Sequence, residues 1–211
     1  MRAIAVAAVC ILTAIVAPTG VKASVIASTF DSDTEGWTGY GDFTDLAWAG
    51  GMGNPEGSLY AKDAALGPTW GFEAPGKFSG DLSDMYGGTL SYDIYVSHGG
   101  DWGAPDITLA GESLTVYWHD ASPGSTPRQW VHYTVDLTES GGWKKGDTAA
   151  PPPTQAEMQN LLTNVQYMRI RAEYSGHIDH GYLDNVVMTP EPGALLLLAF
   201  GGLGLVRRRR K

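Results

Sequence analysis

Along most of this chain apolar residues recur at every second position, and that period commits it to strands rather than helices. Residues 89–96 place Leu90, Tyr92, Ile94 and Val96 on one face and Thr89, Ser91, Asp93 and Tyr95 on the other. Ile107 and Leu109 alternate before Gly111, and Leu114, Val116 and Trp118 oppose Thr115, Tyr117 and His119. Val131, Tyr133, Val135 and Leu137 oppose Trp130, His132, Thr134 and Asp136, while Met168, Ile170 and Ala172 oppose Arg169, Arg171 and Glu173. The last run sets Leu183, Asn185 and Val187 against Tyr182, Asp184, Val186 and Met188. The gaps at 50–57, 97–105 and 121–127 are dense in Gly, Pro, Asp and Ser, the residues of turns. Many short strands without intervening helices predict an all-β fold, an antiparallel β-sandwich of jelly-roll type. One segment departs from the period. Thr154-Gln155-Ala156-Glu157 is a capping box, and Met158, Leu161 and Leu162 follow at helical spacing, which predicts a short helix over 155–162 closing one end of the sandwich.

The two ends read as addresses outside this pattern. After Met1-Arg2, residues 3–17 are apolar except for Thr13, Pro18 and Gly20 break any helix, and Ala23 precedes the expected cut. This is the pattern of a secretory signal peptide over 1–23, passed to the secretion translocon, with cleavage after Ala23 and Ala27 as the alternative position. At the other end Pro190, Glu191 and Pro192 lead into an uncharged stretch over 193–206 and then Arg207, Arg208, Arg209, Arg210 and Lys211. Fourteen residues make about 21 Å of helix, short of the roughly 30 Å hydrocarbon core, and the basic cluster stays on the cytoplasmic side. The three parts in this order resemble the PEP-CTERM sorting signal of Gram-negative bacteria. That resemblance implies transient insertion of 190–211 in the inner membrane as an apolar targeting helix. It also implies recognition and removal of the tail by an exosortase-type enzyme, and delivery of the body to the cell envelope, cell surface or extracellular matrix.

Charge narrows the function classes. Residues 24–189 hold 7 basic and 22 acidic side chains, a net charge of −15, so nucleic acid is not a partner. The single cysteine, Cys10, lies inside the apolar amino-terminal run, and a mature chain without it has no disulfide, thiol nucleophile or cysteine-held metal.

Ordered segments of the body carry a second resemblance. They are Phe30-Asp31-Ser32-Asp33 with Glu35-Gly36-Trp37; Pro55-Glu56-Gly57-Ser58-Leu59; Trp70-Gly71-Phe72-Glu73-Ala74-Pro75-Gly76-Lys77-Phe78; Tyr86-Gly87-Gly88-Thr89-Leu90-Ser91-Tyr92; and Gly181-Tyr182-Leu183-Asp184-Asn185-Val186. Together they resemble the laminin B domain, also called laminin domain IV, over 24–189. This implies an extracellular β-sandwich, similar to carbohydrate-binding jelly rolls, with no catalytic residues to carry over. Without flanking cysteine-rich repeats, network assembly of the laminin kind is not implied.

Three groups are candidate sites. In jelly rolls of this kind the first and last strands jointly hold a structural calcium ion, which makes Asp31 and Asp184 a candidate calcium pair; the alternative is a polar pair bonded to backbone amides. If the runs around 120–129 form a hairpin, Tyr117, His119, Trp130 and His132 share one face, an aromatic platform for a sugar; the alternative places Trp130 under the loop. His177, Asp179 and His180 suit either a transition metal or a solvated turn. No Gly-x-Ser-x-Gly elbow occurs and no local motif singles out a pair of carboxylates, so the chain is not expected to be an enzyme. The expectation is an exported binding or adhesion module associated with exopolysaccharide or biofilm matrix. The alternatives are an envelope polysaccharide-active enzyme and a structural matrix protein that binds nothing.

Overall fold

A computed structural model describes residues 24–66, 69–100, 103–120 and 126–191. The expected signal peptide, Ala23, Pro192 and the arginines Arg207, Arg208, Arg209 and Arg210 lie outside the described residues. Among the described residues no helix is long and apolar enough to cross a membrane.

The strands are β1 (Ile26–Ser28), β2 (Thr38–Tyr40), β3 (Phe43–Trp48), β4 (Leu59–Asp63), β5 (Gly71–Glu73) and β6 (Thr89–Val96), followed by β7 (Ile107–Gly111), β8 (Thr115–Trp118), β9 (Trp130–Asp136) and β10 (Lys144–Lys145). Among the described residues a single α-helix, α1 (Gln155–Leu162), precedes β11 (Val165–Arg171) and β12 (His180–Thr189). One sheet runs β3-β4-β12-β6-β9, with β1 also paired to β12; the other runs β10-β8-β7-β11-β5-β2. Every pairing is antiparallel. The fold is the predicted antiparallel sandwich.

Alternation explains the core. Leu90, Tyr92, Ile94 and Val96 of β6 are fully buried, and so are Ile107 and Leu109 of β7 and Met168 and Ile170 of β11. Trp37 packs between Phe30 and Phe78 at ring distances of 5.9 and 5.5 Å, and its Nε1 donates to Ser28 Oγ at 2.8 Å. An indole N–H that found no partner inside would cost desolvation energy, so this bond is part of what lets Trp37 be buried.

The helix begins where the capping box predicts. Thr154 Oγ1 accepts from the Glu157 amide, and Glu157 Oε2 accepts from the Thr154 amide at 2.7 Å. Met158, Leu161 and Leu162 are buried against the sandwich.

In β12 the predicted faces are half right. Leu183, Val186 and Met188 are buried, and the pairing with β6 shifts between Asp184 and Val187. Asn185 sits there at φ 50, a left-handed conformation that asparagine tolerates, and this one extra residue turns the rest of the strand over. The strand ends against a close approach. A Cβ on Gly88 would lie 1.9 Å from the Thr189 carbonyl oxygen, so only glycine fits there.

Candidate functional site

The predicted hairpin does not form. Strand β8 pairs with β7 and β10 in the second sheet, whereas β9 pairs with β6 in the first. The connection 120–129 therefore crosses from one sheet to the other, and Tyr117 and His119 do not share a face with Trp130 and His132. Tyr117 lies in register with Lys144 and Thr108, and His119 Nδ1 is 2.9 Å from Asp106 Oδ2. Trp118 is the aromatic residue of β8 that meets β9, its ring 5.6 Å from Tyr133 in an edge contact.

Trp130 has other company. Register places Tyr60 of β4 beside Tyr182 of β12, Tyr182 beside Tyr95 of β6, and Tyr95 beside Trp130 of β9. Four neighbouring strands thus each contribute one ring to a single row across the outer face of the first sheet. Their centroids are 5.1, 5.5 and 5.9 Å apart in that order, the Trp130 ring turns back to 6.4 Å from Tyr182, and all four side chains are half-buried. The row exists because each strand alternates in and out, so register alone lines up the outward positions. Among the described residues none of the three phenol hydroxyls, nor Trp130 Nε1, has a hydrogen-bond partner. Each ring offers a stacking surface with an unengaged polar edge.

Two residues further along the strands runs a polar row of Asp184, Asp93 and His132. His132 Nδ1 lies 2.6 Å from Asp93 Oδ1, and Asp93 Oδ2 accepts from Asn185 Nδ2 at 2.8 Å and Asn54 Nδ2 at 3.2 Å. The two Asp184 oxygens accept from the backbone amides of Asn54 and Asn185, at 2.7 Å each. Burial raises the Asp184 carboxyl to about 6, opposed by those two amides and reinforced by the nearby charges of Asp93 and Asp31. Asp31 itself stands in the turn after β1, exposed, accepting from Thr29 Oγ1 at 3.0 Å. The pair offers two carboxylates where calcium takes six to eight oxygens, and among the described residues no group of three or more His, Cys, Asp or Glu gathers to hold a metal. Asp31 and Asp184 do not by themselves form a cage, and the contacts of Asp184 are those of a hydrogen-bonded brace.

His177, Asp179 and His180 point to different neighbours. His177 lies 5.7 Å from the His98 ring, His180 lies beside the aromatic row, 6.1 Å from Tyr60 and 5.8 Å from Tyr182, and Asp179 accepts from Trp70 Nε1 and Ser175 Oγ. Asp179 belongs to a group that sequence reasoning missed. Asp42, Asp63, Glu173 and Asp179 come from three loops at one end of the sandwich, with Asp63, Glu173 and Asp179 almost wholly buried. Among the described residues Glu173 accepts only from the Trp70 amide, at 3.2 Å, and three oxygens of Asp42 and Asp63 are buried without a hydrogen-bond partner. Burial first, then the charges of Asp63, Asp42 and Asp179, push Glu173 up to about 7, and burial likewise pushes Asp179 up to about 6. No sequence signal joins these four, because their loops are far apart in the chain.

Residues 71–190, more than half of the chain, match laminin B (domain IV), and residues 189–211 match the PEP-CTERM protein-sorting motif. Laminin subunit gamma-2 of Homo sapiens is 32% identical over 171 residues, covering 77% of this chain; the matched region is 13% of that protein's length. The L4b domain of human laminin alpha-2 shares the fold with a TM-score of 0.57 at 22% identity, over 70% of this chain and 84% of that one. A family 11 carbohydrate-binding module from Clostridium thermocellum, solved with a beta-1,3-1,4-mixed-linked tetrasaccharide, has a TM-score of 0.52 at 13% identity, over 77% of this chain and 93% of that one. On the match of 71–190, the chain belongs to the laminin B (domain IV) family.

Proposed function

We propose that this exported protein is a polysaccharide-binding module of the cell surface or extracellular matrix, which holds its ligand on the outer face of the first sheet and releases it unchanged. The observation that carries this reading is the row Tyr60–Tyr182–Tyr95–Trp130, whose rings are half-exposed and whose polar edges are unengaged. Aromatic faces stack on the apolar faces of pyranoses while hydroxyl and indole N–H groups bond to sugar hydroxyls. A protein of the same fold holding a tetrasaccharide lends support. The sorting motif accounts for export, and an exosortase-type enzyme of a Gram-negative envelope would act on it. Turnover is not part of the proposal. The carboxyls displaced furthest from their ordinary values, Glu173, Asp179 and Asp184, are all almost wholly buried and closed to a polymer.

The deciding experiment mixes purified protein with exopolysaccharide from the native host. The expected result is retention by the polymer, loss of retention in Trp130→Ala with an unchanged melting temperature, and no reducing sugar released. Release of reducing sugar would make the protein an envelope polysaccharide-active enzyme, and no retention at all would leave a structural matrix protein. Intact mass of the host-derived protein should lack Cys10 and the terminal arginines; a species retaining Arg207–Arg210 would end the exosortase assignment.

A further inference from the structure

Resting on the reading that the outer face of the first sheet binds polysaccharide, we infer that its ligand is a single, soluble, uncharged polysaccharide chain lying across the strands from β4 to β9. Three observations fix this class. The first is direction. The rings stand one per strand along the hydrogen-bonding direction, where strands repeat at about 4.8 Å, close to the length of one pyranose unit. The Trp130 ring folds back toward Tyr182, so the rings span less than four strands, but a chain laid across the strands still meets several of them, whereas a chain laid along the strands would meet fewer.

The second is tilt. Successive ring planes in the row are inclined by 46°, 81° and 56°. Rings at these angles cannot all lie flat on one plane, so the sheet-like surface of a crystalline polymer would touch only part of the row. A free chain turns about each glycosidic bond and can present a face or an edge to each ring in turn.

The third is charge. Along one flank of the row lie Asp184 and Asp93, both almost wholly buried and bonded to Asn54 and Asn185, with His132 on Asp93. Along the other flank stand Lys62, His180 and Arg128, whose Nε donates to the Ser97 carbonyl, and burial holds the His180 imidazole below its usual range. Beside the row the carboxylates of Asp184 and Asp93 are offset by Lys62 and Arg128, while the body as a whole, carrying −15, repels uronates and sulfated sugars. A cationic polymer would be drawn by that same surface charge at many places rather than by this row. An uncharged chain uses what the row offers, stacking and neutral donors.

Affinity electrophoresis of the purified protein through gels with hydroxyethylcellulose, dextran, arabinogalactan, alginate or chitosan tests this, with sedimentation against microcrystalline cellulose beside it. At least one uncharged soluble polymer should retard the protein equally in low salt and in 1 M salt, where screening extends only about 3 Å. Tyr182→Ala, at the centre of the row, should weaken that binding by about tenfold, and Tyr117→Ala, on the other sheet, should leave it unchanged. With oligosaccharides of the retarding polymer, affinity should climb to about three sugars, the length the folded-back row spans, and then level off. Retardation by alginate or chitosan alone, or sedimentation with cellulose alone, would overturn the class while leaving the polysaccharide reading in place. No interaction with any polymer, the native exopolysaccharide included, would overturn both.

Discussion

Two buried acidic sites lie at the end of β11, two residues apart in their anchoring, and they are built in opposite ways. At the first, Asp106 accepts from Arg171 Nη2 at 2.8 Å, the Tyr174 hydroxyl at 2.5 Å and the Asp120 amide at 2.6 Å, with His119 at 2.9 Å. The Arg171 guanidinium stacks 4.0 Å from the Tyr174 ring. At the second, Glu173 has one amide donor and three acidic neighbours. Asp106 and Glu173 are about equally hidden from water. Burial alone therefore does not set the behaviour of an acid. Compensation does: a cation and three other donors make one site a fixed brace, and their absence makes the other a store of unfavourable charge that opens to protonation.

The sharpest way to break the contrast is to remove the cation. Arg171→Met leaves Asp106 buried without its charge partner and should cost about 3–5 kcal/mol, a large part of the roughly 5–15 kcal/mol that holds a domain together. Thermal melting should show it, and Arg171→Met combined with Asp106→Leu should recover much of the loss. If the single variant melted like the parent, the pair would be no brace.

A smaller effect comes from pH. The folded-state values of Glu173, about 7, and Asp179, about 6, lie above their unfolded values. The stability these groups contribute is complete below about pH 4 and is lost as pH rises through 6 and 7. Melting temperature should thus rise as pH falls from about 8 to about 5, and Glu173→Gln should flatten the profile and raise the melting temperature at the alkaline end. A profile that rises with pH across this window would overturn the assignment.

The smallest effect separates two roles for Asp184. If it only braces Asn54 and Asn185, calcium and EDTA leave the melting curve unchanged. We propose calcium binding at Asp31 and Asp184 as the alternative; it predicts a melting temperature that rises with calcium by linkage, and a weaker response in Asp184→Asn.

Much of this fold is legible in the sequence. Strict alternation in β6, β7 and β9 identifies inward and outward residues, and the Thr154–Glu157 capping box marks the helix start. Alternation, however, tells which face a residue takes and nothing about which strand lies beside it. That is why Trp130 is visible as an outward aromatic residue while its partners are not. Tyr95 and Tyr182 also stand out as outward residues, but only the pairing of β12 with both β4 and β6 brings them into one row with Tyr60. The bulge at Asn185 escapes notice because nothing in a run of apolar and polar residues announces an extra one. Asp42, Asp63, Glu173 and Asp179 read as ordinary loop acids until the loops are folded over Trp70.

Strand β12 has a mechanical meaning. Its last residue, Thr189, is the first of the sorting motif, so tension on the carboxyl end enters the body along this strand. One edge of β12 is held by β6 along most of its length and the other by β4 and then β1. Pulled lengthwise, the strand loads the ladders on both edges together, in shear, instead of peeling one bond after another. Ile26 pairs with Met188, so the amino end of the body lies at the same rim. Drag on the carboxyl end of such a surface protein would be carried by a strand bonded along both edges.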